Sequence, residues 1–303
     1  MAKVDILVLT YNQEKFVRKT LQSLVDQQCP FDFKIIVNDD GSSDGTIKIL
    51  KEFVLAYPKL IDLQLNEKNL GMPGNFYNAA ERSNSDYICL CGGDDFWCDK
   101  HKLSKQVEIL DKNENVGVVY SDYMTCDEEG NVTGKVKVSK VTFTSLLYKN
   151  IIAAVTVCFR RTGYEQYLKD LKPQEKSWLM EDYPMWLWFL ANFDVFHMES
   201  FTSVYRIGQV SITNNPNVSR NVAFIKSVNS IREFFCERYT LSKQKYIREC
   251  GKYDLLHFFM KINDFISFKN VCKTLNSKYI KSVIFNCISK NRHLFNYVCK
   301  YLK

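Results

Sequence analysis

A chain of 303 residues with 46% apolar, 25% charged and 14% aromatic residues has the make-up of a folded protein with room for one large domain and an appendage, which excludes a disordered or fibrous chain. Its longest apolar stretch, Ile151 to Phe159, has nine residues, about half of the roughly 18–20 needed to span a bilayer. The formal charge of +7 is uneven, because residues 221–303 hold 16 Lys and Arg against 5 Asp and Glu, so an anionic partner is expected at that end.

The elements alternate from the start. Val4 to Leu9 reads as a buried parallel strand that ends at Thr10-Tyr11-Asn12. A helix with Phe16, Val17, Leu21, Leu24 and Val25 on one face should follow, stopped by Pro30. Lys34 to Val37 is a second strand, leading into the turn cluster Asn38-Asp39-Asp40-Gly41-Ser42-Ser43-Asp44-Gly45. A helix carrying Ile47, Leu50, Phe53 and Val54, a strand over Leu60–Leu65 and a helical stretch near Phe76–Arg82 come next. The strand Tyr87–Cys91 then runs through Gly92-Gly93 into Asp94-Asp95. A further helix, with Leu103, Val107 and Leu110, precedes a strand over Val116–Tyr120. This is the pattern of a parallel sheet with helices on both faces, and its polar clusters, after strands one, two and four, should gather at one sheet edge.

Beyond that point the pattern is mixed. Asp122–Val138 reads as a hairpin or loop, Thr142–Lys149 as a helix, and Ile151–Phe159 as a β-branched strand. Pro184 marks a helix start at the apolar run Met185-Trp186-Leu187-Trp188-Phe189, which is core unless one tryptophan faces a sugar ring. Val204–Ile207 is a last strand, and helices follow from about Asn221. The resulting domains are 1–218 and a basic helical region, 219–303.

Several residues carry chemistry. Tyr11 at a strand mouth can stack on a nucleobase, although Thr10-Tyr11-Asn12 alone is an ordinary turn. Asp39 can accept from a base N–H or ribose hydroxyls. Asp94 and Asp95 repel one another, and a Mg²⁺ or Mn²⁺ held by hard oxygen ligands relieves that repulsion. Asp182, with Glu181 before it, reads as an N-cap or as a general base, ionised at neutral pH on its free pKa of about 3.9. Eleven cysteines, an odd number without a Cys-x-x-Cys pair, suit reduced thiols in the cytoplasm rather than zinc. Met1-Ala2-Lys3-Val4 runs straight into a strand, so no signal peptide is expected. No Gly-rich loop follows strand one, which argues against a dinucleotide or P-loop site and against a nucleotidyltransferase. No nucleic-acid partner is expected, because the positive charge avoids the pocket-forming half.

Taken together, the chain resembles family 2 glycosyltransferases of the GT-A fold, especially those of bacterial surface-polysaccharide assembly. The resemblance covers roughly residues 3–215. It rests on Val8-Leu9-Thr10-Tyr11-Asn12-Gln13-Glu14, Asp39-Asp40-Gly41-Ser42-Ser43-Asp44-Gly45-Thr46, Asn69-Leu70-Gly71-Met72 and Gly93-Asp94-Asp95-Phe96-Trp97. Lys102-Leu103 with Gln106-Val107, Glu181-Asp182-Tyr183-Pro184 with Trp186, and Val204-Tyr205-Arg206 complete it. The resemblance implies a Rossmann-like, mostly parallel sheet and inverting transfer of a sugar from a nucleotide-sugar donor, UDP-linked by expectation, to a glycan or lipid-linked acceptor. It places Thr10, Tyr11, Asn12, Glu14, Asp39, Asn69, Gly71, Asn75 and Asp94 on the nucleotide, the metal on Asp95, and catalysis on Asp182 with Glu181 beside it. Gly92 stands where many relatives have an acidic residue, Gly208 where many have a histidine, and Gly74-Asn75-Phe76 where an arginine is frequent. Asn75, Arg206 or Gln209 would then complete metal and diphosphate binding, and the alternative is a catalytically weak or inactive nucleotide-sugar binder. The basic region 219–303 suits peripheral contact with an anionic inner membrane face, or a helical cap with a solvated basic surface.

Overall fold

The computed structural model describes residues 2–208 and 217–300, which divide into two compact units between residues 211 and 212. In the first unit, β1 (Val4–Thr10), β2 (Phe33–Asp39), β3 (Ile61–Leu65) and β4 (Tyr87–Gly92) pair in parallel in the order β3-β2-β1-β4. Their alternate residues Val4, Ile6, Val8, Ile35, Val37, Cys89 and Cys91 share one core with α1 (Val17–Val25), α2 (Thr46–Ala56) and α4 (Lys102–Lys112). The opposite face is covered by α3 (Gly71–Glu81), which buries Phe76, Ala79 and Ala80. Because β1, β2 and β4 are parallel neighbours, their carboxyl ends meet at one edge, as their polar turns predict.

The helix α1 ends at Val25, well before Pro30. The chain leaves it to pair with the entry to α4: Gln27 Nε2 donates to Asp99 O (2.9 Å), Leu103 N to Gln27 Oε1 (3.3 Å) and Gln28 N to Lys100 O (2.8 Å).

The second half of the sheet is mixed. The two-residue β5 (Phe96–Trp97), the long β6 (Val116–Cys126), β7 (Val132–Val136), β8 (Cys158–Arg160) and β9 (Asp194–Arg206) extend the order to β4-β8-β6-β9-β5, with β7 on β6. Strand β8 is antiparallel to both β4 and β6, whereas β6 and β9 are parallel. Residues 122–138, read as a hairpin or loop, are the end of β6 and its antiparallel partner β7. Between them and β8 lies α5 (Phe143–Tyr148), capped by Thr142, whose side chain accepts from Ser145 N.

Only the last residues of Ile151–Phe159 are strand; Ala154–Thr156 is a 3₁₀ turn. Side chains, not a partner strand, take its carbonyls. Ser203 Oγ donates to Val155 O (2.9 Å) and Gln106 Nε2 to Thr156 O (2.8 Å), while the buried Lys102 Nζ donates to Gln106 Oε1 (2.6 Å) and lies 4.2 Å from the Trp97 ring centroid. The Lys-x-x-x-Gln spacing thus holds an interior turn. A helix not anticipated from sequence, α6 (Arg161–Leu171), follows β8 and buries Tyr164, Tyr167 and Leu171, at helical spacing. Helix α7 (Asp182–Asn192) is apolar all round and buries Trp186 and Trp188, so neither is open to a sugar.

The second unit contains α8 (Val218–Tyr239), α9 (Gln244–Lys261), α10 (Phe265–Cys272), α11 (Ile280–Ser289) and α12 (Arg292–Lys300) around Leu256, Phe259, Phe268 and Phe295. Asn217 and Asp264 cap α8 and α10 by accepting from Arg220 N and Ser267 N (both 3.0 Å). No helix among the described residues is long and apolar enough to cross a membrane.

Removing the Gln106 amide strands the Thr156 carbonyl away from water. Gln106→Leu, although apolar and similar in volume, should cost about 1–3 kcal/mol in urea unfolding. An unchanged midpoint would contradict the role given to this pair.

Candidate active site

The loops after β1 and β2 are fastened to each other. Asp39 is fully buried; its Oδ1 accepts from the hydroxyls of Thr10 (2.9 Å) and Ser42 (2.6 Å), and its Oδ2 from Ser42 N (2.8 Å). A carboxylate offers about four acceptor sites, so one stays available beside these three. Asn12 takes a left-handed φ of 52°. Its N–H donates to Ser42 Oγ and its Oδ1 accepts from Ser43 N, both at 2.8 Å. Glu14 Oε2 accepts from Gly45 N at 2.6 Å, and a Cβ at Gly45 would lie 2.7 Å from that oxygen. These bonds leave the Tyr11 ring 50% exposed at the mouth of β1.

A third wall hangs from Asp40, a residue the sequence marked only as part of a turn. Its carboxylate accepts from Leu70 N (2.8 Å), Gly71 N (3.0 Å) and Asn66 Nδ2 (3.1 Å). Asn69 Oδ1 also accepts from Gly71 N (3.0 Å), and Gly71 opens α3 with a φ of 75° that disfavours a side chain. Asn75 is buried, donating to Asn38 O (3.1 Å) and accepting from Asn66 Nδ2 (2.9 Å). Asn69, Gly71 and Asn75 therefore hold this wall in shape.

Beside these loops lies the end of β4. Gly93 N donates to Leu9 O (2.9 Å), and the Thr20 hydroxyl to Gly93 O (2.9 Å) and Asp95 O (2.6 Å). A Cβ at Gly93 would overlap Gln13 Oε1 and lie 2.6 Å from Thr10 Cγ2, and one at Gly92 would lie 2.9 Å from Asp94 Oδ1. Glycine at both places lets the two carboxylates approach the first loop. Burial pushes the pKa of Asp94 up, and burial followed by the Asp94 charge pushes that of Asp95 well up; Arg206 opposes both shifts. Among the described residues no group of three or more His, Cys, Asp or Glu could hold a metal. A buried and a half-buried carboxylate side by side nevertheless fit Mg²⁺ or Mn²⁺, which take one or two carboxylates and complete their shell with phosphate oxygens and water. Gly208 follows β9, and Gln209 lies outside the described residues.

The other acidic pair opens α7. Glu181 occupies the cap position without a capping bond, and Asp182 is the first helical residue, so Asp182 is not the N-cap. Glu181 is buried and its Oε2 has no hydrogen-bond partner among the described residues. Burial and then the Asp182 charge push its pKa up to about 8. Asp182 is partly exposed; its Oδ1 accepts from Tyr183 N (2.6 Å) and its Oδ2 from Asn150 Nδ2 (3.3 Å). Its pKa is raised by burial and held back by those bonds, so the ordinary free value does not apply. With its pKa at about 8, Glu181 keeps its proton at neutral pH.

Tyr205 and Tyr123, not singled out from sequence, face each other edge to face at 6.2 Å. Tyr205 is 40% exposed. Burial pushes its phenol up to about 12, with Asp95, Asp94, Tyr123 and Asp182 adding to the shift. The phenol thus lies near Asp94, Asp95 and Asp182, and the sequence marks it only as part of Val204-Tyr205-Arg206.

The model of the family described as Glycosyl transferase family 2 matches residues 5–171. Uncharacterized proteins of Mycobacterium bovis and Mycobacterium tuberculosis are 32% identical over 162 residues, 52% of this chain and 47% of theirs; the match spans about half the length of those relatives. The Escherichia coli UDP-Glc:alpha-D-GlcNAc-diphosphoundecaprenol beta-1,3-glucosyltransferase WfgD is 28% identical over 214 residues, 70% of this chain and 80% of its own. Two solved structures share the fold. Residues 1–349 of Staphylococcus aureus TarS with UDP align at TM-score 0.56 and 17% identity, over 98% of this chain and 91% of that one. The mannosyltransferase PcManGT of Pyrobaculum calidifontis, with GDP-Man and Mn²⁺, aligns at 0.58 and 13%, over 100% and 88%.

The raised pKa of Glu181 has a signed consequence for stability. Its burial costs nothing below its ordinary value of 4.5 and destabilises progressively as pH climbs to about 8. Glu181→Gln should therefore stabilise the protein at pH 9, on the order of a few kcal/mol, and far less at pH 4. Equal gains at both pH values in thermal unfolding would contradict the shift.

Proposed function

The chain belongs to glycosyl transferase family 2, and from that membership we propose an inverting glycosyltransferase that moves a sugar from a UDP-linked donor to a hydroxyl of a glycan or lipid-linked acceptor in polysaccharide or glycoconjugate synthesis. The observation that carries this reading is the family match over residues 5–171 on a sheet whose parallel strands β1, β2 and β4 bring Thr10–Glu14, Asp39 and Asp94–Asp95 to one edge. Its GT-A fold, matched by TarS and PcManGT, supports a donor at the sheet edge. The similarity to WfgD, whose name specifies a UDP-linked donor and a lipid-diphosphate acceptor, supports the choice of substrates.

In this reading Tyr11 stacks on the base, Asp39 accepts from its edge, and Thr10, Asn12 and Glu14 hold the loop that carries them. Asn69, Gly71 and Asn75 keep the neighbouring wall in place. Asp94 lies by the ribose and diphosphate, and Asp95 holds Mg²⁺ or Mn²⁺. Such an ion, when bound, supplies positive charge to offset that gathering on the leaving diphosphate. Asp182 accepts the proton of the acceptor hydroxyl as its oxygen bonds to the anomeric carbon, while the bond from that carbon to the diphosphate breaks on the opposite side. Glu181, protonated at neutral pH, adds no charge beside Asp182.

Asp182→Asn should lower transfer by about 10²–10⁴-fold while the thermal shift given by UDP-sugar and Mn²⁺ persists. Near-normal turnover in that variant would contradict the assignment. Donor binding without turnover in the natural sequence would instead identify a catalytically weak binder.

Residues 219–303 are proposed to touch an anionic membrane face. Ile266, Val283, Ile284, Leu294 and Tyr297 are exposed on a segment rich in lysine, which favours interfacial contact. The full chain should sediment with anionic liposomes at low salt, and Ile266→Glu with Ile284→Glu should reduce binding by about tenfold. Equal, salt-insensitive partitioning of both proteins would count against membrane contact.

A further inference from the structure

Arg206, the last residue of β9, is 7% exposed, yet among the described residues it forms no ion pair with the acidic groups beside it; three of its donors go to backbone carbonyls. Nε donates to Asp94 O at 2.8 Å, and Nη1 to Asp127 O at 2.6 Å and Glu128 O at 2.8 Å. The guanidinium lies 4.4 Å from the Phe16 ring centroid, just before α1, and 5.9 Å from that of Phe96. The Arg206 N–H donates to Asp95 Oδ1 at 2.8 Å, which leaves Oδ2 without a hydrogen bond among the described residues. The turn between β6 and β7 is shaped to meet this side chain. Asp127 accepts from Asn131 N at 2.8 Å and Asn131 Nδ2 at 3.1 Å, and Gly130 N donates to Asp127 O at 3.2 Å. Gly130 has a φ of 87°, and a Cβ there would lie 2.9 Å from Lys19 Nζ and 3.7–3.8 Å from the Arg206 nitrogens.

A guanidinium that recognises phosphate does so with free, forked donors. Here Nε and both Nη1 donors are already taken by carbonyls and only Nη2 has no hydrogen bond among the described residues, so neither edge of the guanidinium offers two free donors and a bidentate phosphate would have to displace a carbonyl. We infer that Arg206 is a positioning residue and not a diphosphate ligand: it clamps the 127–131 turn, the Asp94–Asp95 segment and Phe16 together, and so fixes the direction in which Asp95 Oδ2 is offered to a divalent cation. The inference rests on the donor-site reading above and adds that the β6–β7 turn, which supplies no ligand, sets the cation affinity. Residues that orient a metal ligand typically change affinity by about 10–100-fold when lost.

The test is two titrations of the full chain, in the natural sequence and in Arg206→Lys, Arg206→Ala and Gly130→Ala: free Mn²⁺ by electron paramagnetic resonance with UDP saturating, and UDP binding in EDTA. All three variants should weaken Mn²⁺ binding, the Arg206 pair by about tenfold or more, while UDP affinity in EDTA stays at the natural value. If Arg206→Ala fails to fold, Arg206→Lys and Gly130→Ala carry the test. Natural Mn²⁺ affinity in the folded variants would overturn the inference alone. So would a loss of UDP affinity in EDTA as large as the loss for Mn²⁺, which would make Arg206 a direct ligand. A natural sequence that binds neither UDP nor Mn²⁺ would overturn the donor-site reading itself.

Discussion

Asp94 and Asp95 are adjacent carboxylates, one half-buried and the other buried, and the Asp94 charge adds to burial in raising the cost of the Asp95 charge, a cost that the sheet edge is built to meet. One device is the Arg206 N–H, which crosses from β9 to Asp95 Oδ1. Another is the glycine pair at 92 and 93, which lets the segment close against Thr10 and Gln13 with no side chain of its own in the way. An acidic residue at position 92 would bring a third carboxyl against Asp94.

The rest of the edge is built by polar side chains that serve the backbone. Asp39 locks the first two loops, Asp40 suspends the third, and the Lys102–Gln106 pair holds the turn before β8. Such fully partnered buried groups rigidify a site because each has a single arrangement that satisfies it. Glu181 is not held in this way: its Oε2, like Gln13 Oε1 and Asn150 Oδ1, has no partner among the described residues, and burial followed by the Asp182 charge pushes its pKa up to about 8. Asp182 is the partly exposed member, held by Asn150 and Tyr183 N.

Much of this is legible in the amino-acid sequence, for physical reasons. Parallel strands buried on both faces read as unbroken apolar runs. The pattern of residues therefore places β1, β2 and β4, and with them the convergence of Thr10–Glu14, Asp39 and Asp94–Asp95. The antiparallel half is harder to read. Residues 151–157 are apolar because they are interior, and the carbonyls that make them a turn are satisfied by Gln106 and Ser203, distant in sequence. Helix α1 stops short of Pro30 because Gln27 and Gln28 bond to the entry of α4. The pKa of Asp182 depends on burial, a tertiary property, so its free value misleads. Tyr205 gains its place only when β9 pairs with β5 and β6.

The central claim is that the end of β4 is a cation-assisted diphosphate site built on Asp95. It is tested most directly by a crystal grown with UDP and Mn²⁺ and measured at the manganese absorption edge. The account predicts an anomalous peak about 2.1 Å from an Asp95 carboxylate oxygen and in contact with the diphosphate, absent in Asp95→Asn crystals grown the same way. A peak bound elsewhere, or UDP held at this edge with its diphosphate turned away from Asp94 and Asp95, would contradict it.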